Sequence, residues 1–387
     1  MKVVDLFAGC GGLALGFKAK GMKSVAFVEW EKSCCDTLLA NFVEPVNGID
    51  PSVFQVDIRN YEAYLDDGAS SLTSVVRQHG GIDGIIGGPP CQAYSMAGRV
   101  RDPNGMRNDY RNYLFEAYCH VLSVLAPSFF VFENVVGMLS AKPNGVPIAE
   151  EIEHEFSKAG YYIGKIDKRL SYDFADFGGP QHRKRVIIFG VRTDIAKHVE
   201  KVERFHRFMR ESKKSFGTVG QAIGDLPALV PFSPDERPKS RISHQSCGTD
   251  PLHRPRFHNA RDIETFKLLA EDAISDAPKY KSVEALKKLY EERVGKKSAV
   301  HKYHVLNRDA PSNLIPAHLH KDGLRHIHPD PNQARSITLR EAARLQSFPD
   351  DFKFCGSMGD IYKMIGNAVA PQFGAIIATS VATAMQS

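Results

Sequence analysis

The chain of 387 residues lacks several features that would place it in a specialised class of protein. It has no uninterrupted apolar run near the roughly 18 residues that a membrane-spanning helix needs. No charged and then apolar leader precedes the first apolar segment, Val3–Phe7, so we expect neither a membrane span nor secretion. A hydrophobic share of 43% and a charged share of 25% are ordinary for a globular protein, and the length predicts two or three domains.

Cysteine is also scarce and unpaired in pattern. The seven cysteines are an odd number without CxxC spacing, which favours free thiols in a reducing compartment, and we expect a cytoplasmic protein. The pairs His318/His320 and His326/His328 alternate in a proline-rich stretch without a cysteine nearby. We therefore expect surface or phosphate-contacting histidines there, and no metal site.

Positive charge is concentrated in one part of the chain. Residues 190–334 hold 26 Lys and Arg against 19 Asp and Glu, together with 11 of the 15 histidines, although the whole chain has a net charge of only +5. A basic insert in a near-neutral body is expected of a module that binds a polyanion. Charge alone leaves open a solvated surface with a chance excess of one sign.

The first 190 residues alternate short β-rich runs with helical patterns, which predicts a parallel α/β sheet that binds ligands at the carboxyl ends of its strands. The predicted strands are Val3–Phe7, Ser24–Glu29, Val53–Asp57, Ile82–Ile86, Phe129–Phe132 and Arg185–Val191, and the helices Leu13–Lys20 and Asn112–Leu125 lie among them. The pattern then weakens, and Thr218–Pro255 reads as mainly loop. Later helices are predicted at Asp262–Ile274, Val283–Val294, Thr338–Leu345 with Ser336 or Thr338 as its cap, and Gln372–Ala384 after Pro371.

A glycine-rich loop joins the first predicted strand to the first helix. Its sequence, Asp5-Leu6-Phe7-Ala8-Gly9-Cys10-Gly11-Gly12-Leu13, allows a tight turn and a close approach of a ligand to the backbone. Glu29 follows Gly9 by 20 residues and ends the second strand, where a carboxylate can accept ribose hydroxyls. Trp30, the only tryptophan, could lie on an adenine. The pattern indicates an adenosine cofactor, while a structural turn or another nucleotide stays open.

A cysteine and a carboxylate follow two further strands. Cys91 lies in the loop Gly87-Gly88-Pro89-Pro90-Cys91-Gln92, which suits a presented nucleophile, although a single cysteine is more often a small core residue. The polar stretch 96–110 contains Arg99, Arg101 and Arg107 and could close over a substrate. Glu133 follows an apolar run, where it could share a proton with a base nitrogen or form a structural ion pair.

These blocks, in this order, resemble the cytosine-C5 DNA methyltransferase family of the prokaryotic restriction-modification type. Gln181-His182-Arg183-Lys184-Arg185 is similar to the family's Gln-x-Arg-x-Arg motif, residues 335–349 to its penultimate motif, and Gly366-Asn367-Ala368-Val369 to its last. The motifs cover roughly the first 190 and the last 50 residues, and the basic insert falls where the family has its target-recognition region. Pro89-Pro90-Cys91-Gln92 stands where Phe-Pro-Cys-Gln is common.

The resemblance implies a role for each motif. Cys91 would add to C6 of a flipped cytosine, Glu133 would contact N3 and the exocyclic amine, Arg183 would hold the O2 side, and Arg185 would order Glu133. S-adenosylmethionine would be the cofactor, and Arg340 and Glu341 would brace the insert. The implied cofactor-binding residues are Phe7, Ala8, Gly9, Gly11, Gly12, Leu13, Glu29, Trp30, Asp57, Ile58, Pro90, Asn367 and Ala368; the implied DNA contacts are Gln92, Ser95, Arg99 and Arg107.

The resemblance also implies an organisation and a partner. We expect a Rossmann-like S-adenosylmethionine-dependent methyltransferase sheet in residues 1–190, a smaller target-recognition domain in 191–334, the penultimate motif and a linker in 335–361, and a segment completing the catalytic domain in 362–387. Double-stranded DNA is the expected partner, and we expect a nucleoid-associated monomer. It would work alone or alongside a restriction endonuclease that acts on the same site without direct contact. A dinucleotide-dependent dehydrogenase, an RNA methyltransferase and a catalytically inactive DNA-binding regulator are the alternatives.

Overall fold

Eight strands form one sheet in the computed structural model, which describes residues 1–66, 68–90, 114–143, 145–233, 235–236, 241–245, 248–321 and 323–386. The sheet order is β3-β2-β1-β4-β5-β8-β6, with β7 also paired to β8. The strands are β1 (Lys2–Leu6), β2 (Lys23–Glu29), β3 (Ser52–Gln55), β4 (Gly84–Gly87), β5 (Phe129–Val135), β6 (Tyr161–Tyr162), β7 (Ser171–Asp173) and β8 (Lys184–Arg192). Every one of the six predicted strands is therefore present, with ends shifted by a few residues.

The sheet is mixed, and this corrects the prediction of a parallel sheet. Strands β1 to β5 run parallel, but β8 runs antiparallel to β5, and β6 and β7 are antiparallel to β8. Buried strands in parallel and mixed sheets have the same apolar pattern, so composition does not reveal direction. As a consequence, the start of β8 lies at the same edge as the carboxyl ends of β1 to β5.

The described chain contains twelve α-helices, numbered here in chain order. They are α1 (Gly12–Lys18), α2 (Lys32–Phe42), α3 (Leu72–Gln78), α4 (Leu114–Leu125), α5 (Ile148–Lys158), α6 (His198–Glu211), α7 (Val219–Ile223), α8 (Ala260–Ala273), α9 (Val283–Val294), α10 (Leu339–Leu345), α11 (Met358–Asn367) and α12 (Pro371–Met385). Thr338 caps α10 through a reciprocal capping box with Glu341, whereas Ser336 contacts His258. The cap therefore follows one of the two predicted alternatives.

Helix α12 packs directly on α1. A Cβ added to Gly16 would lie 2.4 Å from the nitrogen of Ala375, and one added to Gly374 would lie 3.0 Å from the carbonyl oxygen of Leu13, so only glycine permits this approach. By length and composition, one stretch of the described chain, Met358–Met385, would suffice to cross a membrane. It consists of α11 and α12, whose apolar faces lie in the core, as expected of core helices in a globular protein.

Helix α6 belongs to the same core, although the predicted domain boundary placed it in the insert. Phe205 stacks on Phe189 of β8 at 4.4 Å between ring centroids, and Val202 and Met209 are buried with it. Lys201 donates to the carbonyl oxygens of Met385 and of the residue after it, at the carboxyl end of α12. A cation at this end of a helix is favourable, so α6 holds α12 in place.

The remainder of the insert has a small core of its own and several buried histidines. Phe266, Leu269, Leu289, Tyr303 and Ile327 form the core, with α8 and α9 on it. The expectation of surface or phosphate-contacting histidines is right in position for His318 and His320, which are exposed, and wrong for His326 and His328, which are 1% and 7% exposed. Ile327, between them, is also buried, so this segment runs through the interior of the protein.

We expect acid to destabilise this region. Burial lowers the pKa of His258 and His326 to about 3 and that of His328 to about 4. The unfolded chain therefore binds more protons than the folded chain between about pH 6.5 and pH 3, so stability is lost as the pH falls through that window. Each histidine contributes up to about 1.4 kcal/mol per pH unit.

Urea unfolding at pH 7.5, 6.5 and 5.5 measures this slope. His326→Leu should flatten it, whereas His154→Ala, which removes an exposed histidine of α5, should leave it unchanged. Equal slopes for all three chains would contradict the assignment.

A buried ion pair lies at the junction where the insert ends and the chain returns to the catalytic body. Arg335 and Glu341 are fully buried and make two bonds of 2.6 and 2.7 Å. Burial alone would raise the pKa of Glu341, but the Arg335 guanidinium lowers it to about 2. Arg340 pairs with Asp250 of the insert at 2.6 Å. These contacts place Arg340 and Glu341 at the junction that the resemblance assigned to them.

Candidate active site

The glycine loop leaves β1 through a constrained backbone. Phe7 has a φ of 55°, in the left-handed region that a bulky side chain rarely adopts. Such strain persists only where the surroundings impose it, and it is concentrated at binding sites. In the described part of the chain, nothing lies within 4 Å of the position that a Cβ would take at Gly9. The loop therefore leaves room for a ligand at this edge of the sheet.

Glu29 ties this loop to β2. Its Oε2 accepts from the Gly9 backbone at 2.8 Å, and its Oε1 accepts from the backbones of Trp30 and Glu31, both at 2.9 Å. Burial raises the pKa of Glu29, and these three bonds oppose the rise. Two carboxylate oxygens have about four acceptor positions, so roughly one remains for a ligand. The bracing of the loop by Glu29 was not predicted from the sequence.

The other predicted adenosine contacts surround the same edge. Trp30 is 62% exposed, an unusual position for the only tryptophan of the chain. Ile58 is buried, whereas Asp57 makes a two-pronged ion pair with Arg59, which lowers the pKa of the Asp57 carboxyl. The Asp57 carboxylate therefore already has a cationic partner. Pro90 is exposed at the last described position before the cysteine.

The last family-like motif closes the loop from the other side. A Cβ added to Gly12 would lie 2.3 Å from the carbonyl oxygen of Val369 and 3.2 Å from the Cβ of Ala368. Asn367, the residue before, is exposed. The resemblance implies that Gly12 and Ala368 line one cofactor pocket, and these two residues, far apart in sequence, lie next to each other.

Asp5 is a buried carboxyl that the sequence analysis did not single out as a site residue. It is 1% exposed, and its Oδ2 has no hydrogen-bond partner among the described residues. Burial raises its pKa well above the usual range, and the charge of Glu29 adds to the rise. We therefore expect a neutral acid beneath the glycine loop. An acidic residue inside the apolar strand β1 was the available signal.

The predicted nucleophile, Cys91, lies outside the described residues, as do Gln92, Ser95, Arg99 and Arg107. The preceding loop is described as far as Pro90 and is packed against Glu133. A Cβ added to Gly88 would lie 2.5 Å from Oε2 of Glu133 and 2.9 Å from its carbonyl oxygen. Glycine at this position therefore lets the loop approach the carboxylate three residues before the cysteine.

Glu133 and Arg185 form an ion pair that the sheet register creates. Val135 lies opposite Arg185 across the antiparallel β5–β8 pair, and Glu133 lies two residues earlier on the same side of β5. Side chains in this diagonal relation can meet. The Nε of Arg185 is 2.6 Å from Oε1 of Glu133, and both side chains are nearly buried, at 11% and 12% exposure. The Arg185 guanidinium therefore lies against the Glu133 carboxylate as its ion-pair partner.

Arg183 is buried beside this pair with donors to spare. One terminal nitrogen donates to the carbonyl oxygens of Gly366 and Asn367, at 3.0 and 3.3 Å. Its Nε and the other terminal nitrogen have no hydrogen-bond partner within the described ranges. Burial lowers the pKa of Arg183, and the charge of Arg185 adds to this effect. A buried cation with free donors is suited to an oxygen atom of a ligand.

Gln181 has a structural position. Its amide donates to Leu345 and Gln346 at 3.3 and 3.0 Å, and its Oε1 accepts from the Ile315 backbone at 3.0 Å. It is fully buried and links the insert to α10. This arrangement favours an orienting role over a catalytic one. No group of three or more potential metal ligands occurs in the part of the chain that the structure describes.

Comparison with known proteins agrees with this geometry. The family model of the C-5 cytosine-specific DNA methylases matches residues 1–383. A type II methyltransferase of Bacillus paralicheniformis is 33% identical, with 98% of each chain covered. A second one, from Haemophilus parahaemolyticus, is 32% identical over 98% of this chain and 86% of its own length. The chain belongs to the C-5 cytosine-specific DNA methylase family, and it is an enzyme of that class.

Solved structures support the fold. A protein described as a DNA modification methyltransferase encoded within an E. coli prophage has a TM-score of 0.62 at 24% identity, with 99% of this chain and 98% of that chain covered. A methyltransferase of Entamoeba histolytica has a TM-score of 0.57 at 15% identity, with 100% and 99% covered. The α/β methyltransferase architecture expected from the resemblance is therefore confirmed.

Proposed function

We propose that this enzyme transfers a methyl group from S-adenosylmethionine to C5 of a cytosine flipped out of duplex DNA, through a covalent bond between Cys91 and C6. The observation that carries the proposal is the meeting of Gly88, Glu133, Arg185 and Arg183 at one edge of the sheet. The loop that leads to the cysteine, an ion-paired carboxylate and a buried guanidinium with free donors lie next to the glycine loop.

The chemistry assigns a task to each of these groups. C5 of cytosine is a weak nucleophile, and addition of the Cys91 thiolate to C6 makes C5 enamine-like. Glu133, held by Arg185, stabilises the adduct at N3 and the exocyclic amine, and Arg183 donates to O2. After C5 has gained the methyl group, a base removes the C5 proton and the C6–S bond breaks, which restores the thiolate.

The residues present fit S-adenosylmethionine. The cofactor supplies an electrophilic methyl group on a sulfonium centre. Glu29 retains roughly one acceptor position for a ribose hydroxyl, and Trp30 presents an exposed ring for the adenine. Open space at Gly9 leaves the backbone accessible. The Glu29 carboxylate, which accepts three backbone hydrogen bonds, would attract a cationic cofactor and repel a pyrophosphate.

Duplex DNA is the substrate that we assign to the basic insert. A cytosine inside a duplex is out of reach, so it must leave the stack at a cost of a few kcal/mol. Cationic side chains of the insert would hold phosphates, and loop side chains would read base edges. By analogy with the type II methyltransferases, we propose a modification enzyme that acts as a monomer in the cytoplasm, alone or beside an endonuclease of the same specificity.

Methyl transfer from labelled S-adenosylmethionine tests the proposal on three samples: DNA, RNA and no nucleic acid. We expect label in DNA alone. Bisulfite sequencing of DNA from an expressing host should then show protected cytosines within one short sequence. Label in RNA, or no label in any sample, would contradict the proposal.

Glu29→Ala should weaken S-adenosylmethionine binding at least roughly tenfold, because the carboxylate braces the glycine loop and would accept a hydrogen bond from a ribose hydroxyl. Isothermal titration measures the dissociation constant. Glu62→Ala, at an exposed position of the same catalytic body, is the matched control and should bind like the parent chain. An unchanged constant for Glu29→Ala would contradict the ribose assignment.

A further inference from the structure

An exposed histidine lies in the middle of the arginine motif. His182 stands between Gln181 and Arg183, which are both buried, and its side chain is 59% exposed. Its Nδ1 lies 3.1 Å from Oδ2 of Asp173. The Asp173 side chain is only 10% exposed, and its Oδ1 accepts from the Arg183 backbone at 2.8 Å. One buried carboxylate therefore fixes both the imidazole and the chain segment that carries the catalytic arginine.

The carboxylate determines which ring nitrogen is available. With Nδ1 donating to Asp173, the Nε2 atom is the free position, and an imidazolium there donates outward. The arrangement presents a fixed imidazole at the surface, one residue from Arg183.

Two lysines extend this positive surface along the segment Asp173–Phe177. Lys184 is exposed and lies opposite Asp173 in the β7–β8 pair. At the other end, Lys214 is exposed and lies beside Phe177. Its backbone N–H donates to the backbone carbonyl oxygen of Asp176 at 2.7 Å. We call His182, Lys184 and Lys214 the basic strip.

We propose that the basic strip binds the phosphate backbone of the DNA substrate, with His182 as its fixed donor. Phosphate contacts position a protein on the duplex without reading its sequence. Asp173 bonds to both the His182 side chain and the Arg183 backbone. A phosphate bound by His182 is therefore held at a fixed distance from the catalytic arginine. The inference deepens the proposed function and rests on DNA being the substrate.

The test measures binding to a 30-base-pair duplex of mixed sequence by fluorescence anisotropy at pH 6.5, over a series of salt concentrations. His182→Ala should raise the dissociation constant roughly tenfold. It should also reduce the slope of log K against log salt by about 0.9, the value for one phosphate contact. His182→Arg should restore both quantities, because it keeps a cation at the position.

His154→Ala is the matched control. It removes an exposed histidine from α5, the helix that leads to β6 at the other end of β8, and should bind DNA like the parent chain. Cofactor affinity of His182→Ala checks that the fold is retained. A dissociation constant and salt slope equal to those of the parent chain would overturn the basic strip and leave the proposed function standing. DNA binding by the parent chain without methyl transfer would overturn the proposed function and leave the basic strip standing.

Discussion

Cys91→Ala should abolish methyl transfer while S-adenosylmethionine still binds. Without a thiolate at C6, C5 of cytosine does not become nucleophilic, and loss of a covalent nucleophile lowers turnover by roughly 10⁴-fold or more. The glycine loop, Glu29 and Ala368 form the expected cofactor pocket without the cysteine side chain. Single-turnover transfer of a labelled methyl group and a separate cofactor titration distinguish the two effects.

Covalent trapping makes this prediction specific. A duplex with 5-fluorocytosine at the methylated position lacks the C5 proton, so the adduct cannot resolve and the parent chain should remain attached to DNA. Cys355→Ser alters a partly exposed cysteine and should be trapped like the parent chain. Trapping of Cys91→Ala, or transfer at the parent rate, would remove the nucleophile assignment.

Arg335→Met should lower the free energy of unfolding by about 3–5 kcal/mol, because it leaves a buried carboxylate without its cation. Glu341 is 1% exposed, and its other ion-pair neighbour among the described residues is His328, at 3.6 Å, whose pKa burial lowers to about 4, so that it is neutral at pH 7. The same change removes a donor to Gln333, which also accepts from the Leu229 backbone. Urea unfolding measures the loss, and we expect the insert junction to open first.

The control for this variant is a surface pair. Lys288 and Glu292 lie 3.9 Å apart on α9 and are 80% and 57% exposed, so Lys288→Met should change stability by less than about 0.5 kcal/mol. Arg335→Met combined with Glu341→Leu should be less destabilised than the sum of the two single variants, because neither charge is then left alone. Equal effects of Arg335→Met and Lys288→Met would contradict the buried-pair argument.

Local patterns predicted most elements of the fold but not their directions. Val283–Val294 and the helix after Thr338 are present because cap residues and apolar spacing act within one helix. The antiparallel direction of β8 depends on how the chain returns to β5, which no local pattern records. Helix α6 belongs to the body because Phe205 meets Phe189, a contact between two elements.

The contacts of the expected site residues could be predicted only in part. The resemblance indicated Glu133 and Arg185, and the sheet register explains why they meet at 2.6 Å. The sequence did not show that Glu29 accepts three backbone hydrogen bonds, because the position of the donor N–H groups depends on the path of the glycine loop. Asp57 was placed near the adenine, yet its nearest cation is Arg59, only two residues away.

The glycine contact between α1 and α12 has a consequence for synthesis on the ribosome. Helix α1 emerges early, but α12, which covers it, follows every other described helix. Until then Leu13 and Phe17 lack the neighbours that bury them in the finished protein. A prematurely terminated chain would display this apolar surface to chaperones and proteases. Its glycine loop would also lack the contacts with Ala368 and Val369, so we expect truncated chains not to transfer methyl groups to DNA.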